Sequence, residues 1–152
     1  MSDRGRILGV DYGSVRIGLA VSDVDRKIAS PLRTYERRGV NQDASFFKEQ
    51  IEQEEITQIV VGLPIHSDGR EGEKAKEARD FGQWLAGVTA LPVVFWDERF
   101  TTVLAEGHLL QAGLTRKRRR DRRDRVAAQI LLQSYLDASC PTQSQSFGRL
   151  EE

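Results

Sequence analysis

The sequence predicts an α/β fold with a five-stranded mixed sheet, and three observations carry that prediction. An apolar run, Ile7-Leu8-Gly9-Val10, ends on Asp11 and a Gly13-Ser14 turn, and an alternating run from Ile17 to Ser22 follows, the pattern of two antiparallel strands. Two later apolar strands, Ile56–Val61 and Leu91–Trp96, are each reached through a helix-periodic stretch, so the chain makes two β-α-β crossovers. The 152 residues suffice for one core. The element order βββαβαβαα places the first, fourth and fifth strands parallel in the centre, with sheet order 3-2-1-4-5.

Each element has a local cause. Lys27–Tyr35 carries Ile28, Leu32 and Tyr35 around Pro31, which a sheet edge tolerates. Asn41 can cap a helix over residues 43–54, whose apolar stripe is Ala44, Phe47 and Ile51. Ile56–Val61 is apolar throughout, as a strand covered on both faces requires, and runs into Gly62-Leu63-Pro64 and a polar glycine loop to Gly72. Ala75, Ala78, Gly82 and Leu85 share one stripe of a helix over 73–85. The strand ending at Trp96 meets the acid pair Asp97-Glu98. Thr101 or Thr102 can cap a helix running to about Gln111 and stopping at Gly113. The apolar pattern predicts a last helix over Asp124–Asp137. The Ser-, Gln- and Glu-rich remainder reads as a flexible tail, giving a domain over 1–138 and a tail over 139–152.

Composition narrows the function classes. A hydrophobic fraction of 39% with 30% charged residues is that of a soluble globular protein. There is no apolar run of membrane-spanning length and no signal-peptide pattern at Met1–Arg4, so no membrane partner and a cytoplasmic location are expected. One cysteine, Cys140, precludes an internal disulfide, and two histidines with it cannot build a Cys/His zinc cage. The net charge of zero conceals a dipolar distribution. Arg116-Lys117-Arg118-Arg119-Arg120-Asp121-Arg122-Arg123-Asp124-Arg125 holds eight cations and two acids, leaving the other segments with 15 cations against 21 anions. A polyanion feels that local field within roughly one Debye length, about 10 Å at 0.1 M salt.

Three strand ends, Asp11, Gly62-Leu63-Pro64 and Asp97-Glu98, fall on one rim of the sheet, where ligands of such folds collect. Asp124, Ala127, Ala128 and Leu131 share one helical stripe, which places Asp124 on the face turned to the sheet. Two carboxylates about 4 Å apart repel by roughly 4 kcal/mol at an effective dielectric of 20, so a cluster of them calls for a cation or a proton. Oxygen ligands alone favour Mg²⁺ or Mn²⁺. Two such ions can bridge a scissile phosphate, and the adjacent cations can hold its neighbours.

The segments Leu8–Gly13 with Ile17–Ala20, Val60–Pro64 with Asp68-Gly69, Asp97–Thr102, and Asp124 with Ala127-Ala128 and Ile130–Leu132 resemble the YqgF/RuvX family of the RNase H-like superfamily, and they span residues 7–137. The resemblance implies an RNase H-like fold and a metal-dependent endonuclease that processes the 5′ end of pre-16S ribosomal RNA, with a Holliday-junction-type DNA nuclease as the alternative. It puts the metal carboxylates on Asp11, Glu98 and Asp124. Asp121, in a segment that is basic in the family, competes for the third position, and Ala127 and Ala128 favour Asp124.

The remaining residues divide by context. Arg99 and the cations Arg116, Lys117, Arg118, Arg119, Arg120, Arg122 and Arg123 are candidates for phosphate contact, although runs of cations are usually solvated surface. Asp97 reads as a turn residue or an accessory ligand, and Arg99 as a phosphate grip or the partner of a local acid. His66 reads as a solvated loop side chain, and Trp84 and Trp96 as core. Expected partners are RNA, branched DNA or a ribosomal precursor particle, with the chain a monomer or weak dimer. A non-catalytic RNA-binding module would need the basic run and not the acids. Asp11–Ser14 also resembles the phosphate loop of hexokinase-like ATPases, which need two such domains where this chain has length for one.

Overall fold

Side chains alternate along β1 (Arg6–Asp11), and that alternation builds two cores on the two faces of one sheet. The computed structural model describes residues 5–100 and 115–140. Beyond β1 it comprises β2 (Arg16–Ser22), β3 (Ala29–Glu36), α1 (Val40–Gln53), β4 (Ile56–Leu63), α2 (Glu73–Thr89), β5 (Val93–Asp97), a 3-10 turn over Glu98–Phe100 and α3 (Arg116–Asp137). The sheet order is β3-β2-β1-β4-β5, antiparallel from β3 to β1 and parallel from β1 through β4 to β5, as the crossover pattern requires. The expected helix over residues 101–111 and most of the expected tail lie outside the described residues.

On one face Leu8, Val10, Leu19, Val61 and Phe95 pack with Phe47 of α1 and Ala78, Phe81 and Leu85 of α2. On the other, Ile7, Ala20, Val60, Val94 and Trp96 pack with Ala128, Leu131, Leu132, Tyr135 and Leu136 of α3. Trp96 is 2% exposed and donates its ring N–H to Ser134, so it is core; Trp84 lies at the margin of the first cluster, half-buried.

The face under α3 carries glycines where the helix comes closest. A Cβ at Gly9 would stand 2.9 Å from Leu132 Cβ and 3.3 Å from the Ala128 carbonyl, and one at Gly18 would overlap the Asp124 carbonyl. Backbone therefore meets helix directly, the use of a strand glycine that brings two elements close.

Two helix starts differ from the sequence expectation. α3 begins at Arg116, about two turns before Asp124, with the Thr115 hydroxyl accepting from the Arg118 amide. Arginine and lysine are good helix formers, so the basic run extends the helix without adding an apolar stripe that periodicity would register. α1 starts at Val40, and Asn41 makes no side-chain cap. Asp43 instead organises this corner from a fully buried position, accepting from the Tyr35 hydroxyl (2.6 Å), the Arg38 amide (3.0 Å) and Arg37 Nε (3.2 Å).

Because the Gly18 contact is with backbone, Gly18→Ala lowers the unfolding free energy by roughly 1–3 kcal/mol in urea titration. Gly87→Ala, on α2 with nothing within 4 Å of the added Cβ, raises it by about 0.5–1 kcal/mol.

Candidate active site

Alternation on the α3 face runs Ile7, Gly9, Asp11 along β1 and Val94, Trp96, Glu98 along and just past β5. The face that carries the small residues therefore ends, at the carboxyl rim, in acids. Gly62 on β4 lies between them: a Cβ there would overlap the Glu98 carboxylate, so its absence lets Glu98 reach across β4 to Asp11. Asp11 and Glu98 share a side-chain hydrogen bond. Asp124, seated over Gly18, completes a cavity of about 450 Å³ also lined by Tyr12, Gly13, Arg16, Lys74 and Glu77.

Burial first, then the charge of Glu98, the hydrogen bond with Glu98 and the charge of Asp124 lift the Asp11 carboxyl well above the usual carboxylate range. By exposed area Asp11 is only half-buried, yet protein packs densely around its carboxyl, and it is that packing which sets the cost of charging it. Glu98 is raised as well, by burial, with the hydrogen bond from Asp11 pulling it back and the Asp97 charge pushing it further up. Burial and the neighbouring charge thus disfavour the doubly ionised form of this pair.

Asp124 Oδ2 accepts from Arg16 Nε at 2.7 Å. Among the described residues no set of three His, Cys, Asp or Glu side chains is arranged to hold a metal ion as it stands. Two of the three expected ligands thus meet directly, while the third shares their cavity but is engaged by an arginine. The donor set is all carboxylate oxygen, the chemistry of a hard divalent cation.

Asp97 and Asp121 lie elsewhere. Asp97, 2% exposed, accepts from the Arg99 amide (2.8 Å), Nε (2.8 Å) and Nη2 (2.6 Å), and so holds Arg99 in a local pair. Asp121 pairs with Lys117 Nζ at 2.9 Å and lines hollows beside β3 and along α3, apart from Asp11 and Glu98. His66 is exposed.

Helical phase sorts the basic run. Arg118, Arg122 and Arg125, at i, i+4 and i+7, line a hollow of about 230 Å³ with Asp121. Arg116, Lys117, Arg118, Arg119 and Arg123 are exposed; Arg120 and Arg122 are half-buried, and the Nε atoms of both are buried without a hydrogen-bond partner among the described residues. Sequence reasoning missed Arg16, Lys74 and Glu77 as wall residues. It had a signal for Gly18 and Gly62, since glycine inside a strand marks close approach of another group.

With this geometry in place, the sequence model of the RuvX family, described as a Holliday junction resolvase, matches residues 5–138. The chain belongs to the RuvX family. It is 48% identical over 134 residues to a "Putative pre-16S rRNA nuclease" of Rhodopirellula baltica, covering 88% of this chain and 78% of that protein. A protein of the same name from Rhodobacter capsulatus is 44% identical, over 88% of this chain and 84% of its own. Among solved structures, Thermus thermophilus RuvC in complex with a Holliday junction aligns with a TM-score of 0.52 at 15% identity, covering 89% of this chain and 96% of RuvC. The fowlpox virus resolvase with Holliday junction DNA aligns at 0.50 and 10% identity, over 90% and 99% of the two chains. At such identities the likeness is one of fold, the RNase H-like fold with sheet order 3-2-1-4-5.

The raised carboxyls set a pH dependence. A carboxyl with a higher pKa folded than unfolded binds more protons when folded, so its contribution to stability declines as pH rises from about 4, the unfolded value, into the raised range. In metal-free buffer Asp11→Asn therefore stabilises the fold at neutral pH. The gain is about 1–4 kcal/mol, the order expected for relieving a desolvated carboxylate of its burial cost and of repulsion by a neighbouring charge. Thermal melts of the two proteins should converge as pH falls to about 4.

Proposed function

We propose that this RuvX-family chain is a divalent-metal-dependent endonuclease that acts on RNA in the cytoplasm, with precursor 16S rRNA as its substrate, free or in a ribosomal precursor particle. The observation that carries the proposal is the pair of hydrogen-bonded carboxylates with raised pKa values, Asp11 and Glu98, in one cavity with Asp124, beside a helix whose first turns are largely arginine. Such a cluster is unfavourable for folding, as its raised pKa values indicate, and suits a site that neutralises it during function. The names borne by relatives at 44–48% identity support the choice of RNA.

In this reading Asp11, Glu98 and Asp124 are the residues that would hold Mg²⁺ or Mn²⁺. The cation would supply charge neutralisation at the phosphate and a more acidic water. Arg16, already 2.7 Å from Asp124, and Lys74 offer positive charge at the cavity wall for the non-bridging oxygens of a phosphate. The turn at Gly13 is tight, for a Cβ there would overlap the Arg16 carbonyl. The run from Arg116 to Arg125 neutralises flanking phosphates, which sets affinity and position, not sequence preference.

A junction-resolving DNA nuclease would use the same acids, and the family's description and fold keep it as the second reading. Resolution of a four-way junction requires two active sites related by symmetry.

Incubating the chain with a pre-16S fragment and with a four-way DNA junction, with and without Mn²⁺, separates the readings. Metal-dependent cleavage of the RNA by a monomer is the expected result. Asp11→Asn abolishes that cleavage while the fold persists, and undiminished activity would remove Asp11 from the mechanism. Replacing Arg118 and Arg122 with alanine weakens RNA binding and reduces the slope of log affinity against log salt by roughly 1–2, since each phosphate that a cation neutralises adds about 0.7–0.9 to that slope. An unaltered slope would reduce the run to solvated surface.

A further inference from the structure

The rim of the sheet has a second side. Asp11 belongs to the face under α3, whereas the next residue, Tyr12, packs against Phe81 of α2, its ring centroid 4.8 Å away. Tyr12 and Glu77 line both the acid cavity and a neighbouring groove of about 310 Å³, whose other walls are Arg37, Val40, Asp80, Phe81 and Trp84. Glu77, Phe81 and Trp84 stand at i, i+4 and i+7 on α2, so the groove leads away from the acids along one helix face. Rings are continuous along it, with Phe81 and Trp84 centroids 5.4 Å apart.

Arg37 pre-organises this wall. Its guanidinium lies 5.5 Å from the Tyr12 ring centroid and 5.4 Å from that of Phe81, donates to the Tyr12 hydroxyl at 3.1 Å and is anchored on buried Asp43. Its charge is matched there. Val40, 66% exposed, closes one end, an apolar side chain left in water.

We propose that this groove binds an unpaired nucleobase of the substrate strand, next to the nucleotide whose phosphate occupies the acid cavity, so that the substrate class is single-stranded or locally unpaired nucleic acid. The inference rests on the nuclease reading above and adds a subsite to it. Charge selects the base over the phosphate. The groove's cation, Arg37, is paired with Asp43, while Glu77 and Asp80 stand exposed at its edge, so a second phosphate is repelled and an uncharged aromatic ring is not. Continuity through Tyr12 and Glu77 lets one strand pass from cavity to groove. A base still stacked inside a duplex cannot enter a side groove, which confines the site to unpaired strands.

Intrinsic fluorescence reads this site, because Trp84 is half-buried at the groove whereas Trp96 is sealed in the core. Titrate the full chain in EDTA with a short oligoadenylate, an abasic ribose-phosphate oligomer of equal length and a perfect RNA duplex. Oligoadenylate is expected to quench Trp84 and to bind roughly 5- to 100-fold more tightly than the abasic oligomer, the range of one base stacked on an aromatic ring. The duplex is expected to bind without quenching. Trp84→Ala should erase the difference between the two single strands, and Trp84→Phe should keep it while losing the fluorescence change. Equal affinity of the wild-type chain for the two single strands, or equal quenching by the duplex, overturns the subsite and leaves the nuclease reading standing; failure to bind any of the three overturns both. If Trp84→Ala does not fold, the wild-type comparison decides.

Discussion

Close approach of α3 to the sheet is the constraint on which the site depends. Helices ordinarily stand off a sheet by the thickness of their interlocking side chains, and here glycines at positions 9 and 18 remove that layer under Ala128, Leu132 and Asp124. Asp124 is thereby lowered to the level of the strand ends, and Gly62 opens the lateral path by which Glu98 reaches Asp11. Any side chain at these glycines would push apart the elements whose packing buries the carboxyls and so raises their pKa values. Packing and chemistry are here the same set of contacts.

Electrostatics adds an internal tension. Eight cations on α3 lie next to a cavity that gathers four acids, Glu77 among them, in a body that carries the remaining excess of negative charge. Arg16 is the local compensation, holding Asp124 while Asp11 and Glu98 hydrogen-bond one another. Folding stability is given up at the rim and supplied by the apolar faces, where Leu8, Val10, Ile59 and Val61 on one side and Leu131, Leu132 and Tyr135 on the other are almost fully buried.

Much of the architecture was legible because it rests on periodicity. Alternation in β1 and β2, the apolar run of β4 and the stripe Ala75, Ala78, Gly82, Leu85 of α2 each express one dominant local signal, and the sheet order follows from the handedness and length of the connections. Helix ends were less legible. The first two turns of α3 consist of residues that favour a helix without marking its buried side, and the start of α1 is governed by Asp43, whose partners Tyr35 and Arg37 lie on the preceding strand and its exit.

The site divides in the same way. Sequence alone determined that acids stand at the ends of two parallel strands on one rim and that Asp124 lies on the sheet-facing stripe of its helix, because strand ends and helical phase are local properties. Only the tertiary structure decided that Asp11 and Glu98 hydrogen-bond one another, that Arg16 holds Asp124, that Asp97 belongs to Arg99 and that Tyr12 opens a second groove. Those pairings join side chains far apart in the chain or choose among near neighbours by a rotamer, and distance and direction in space have no representation in a one-dimensional pattern.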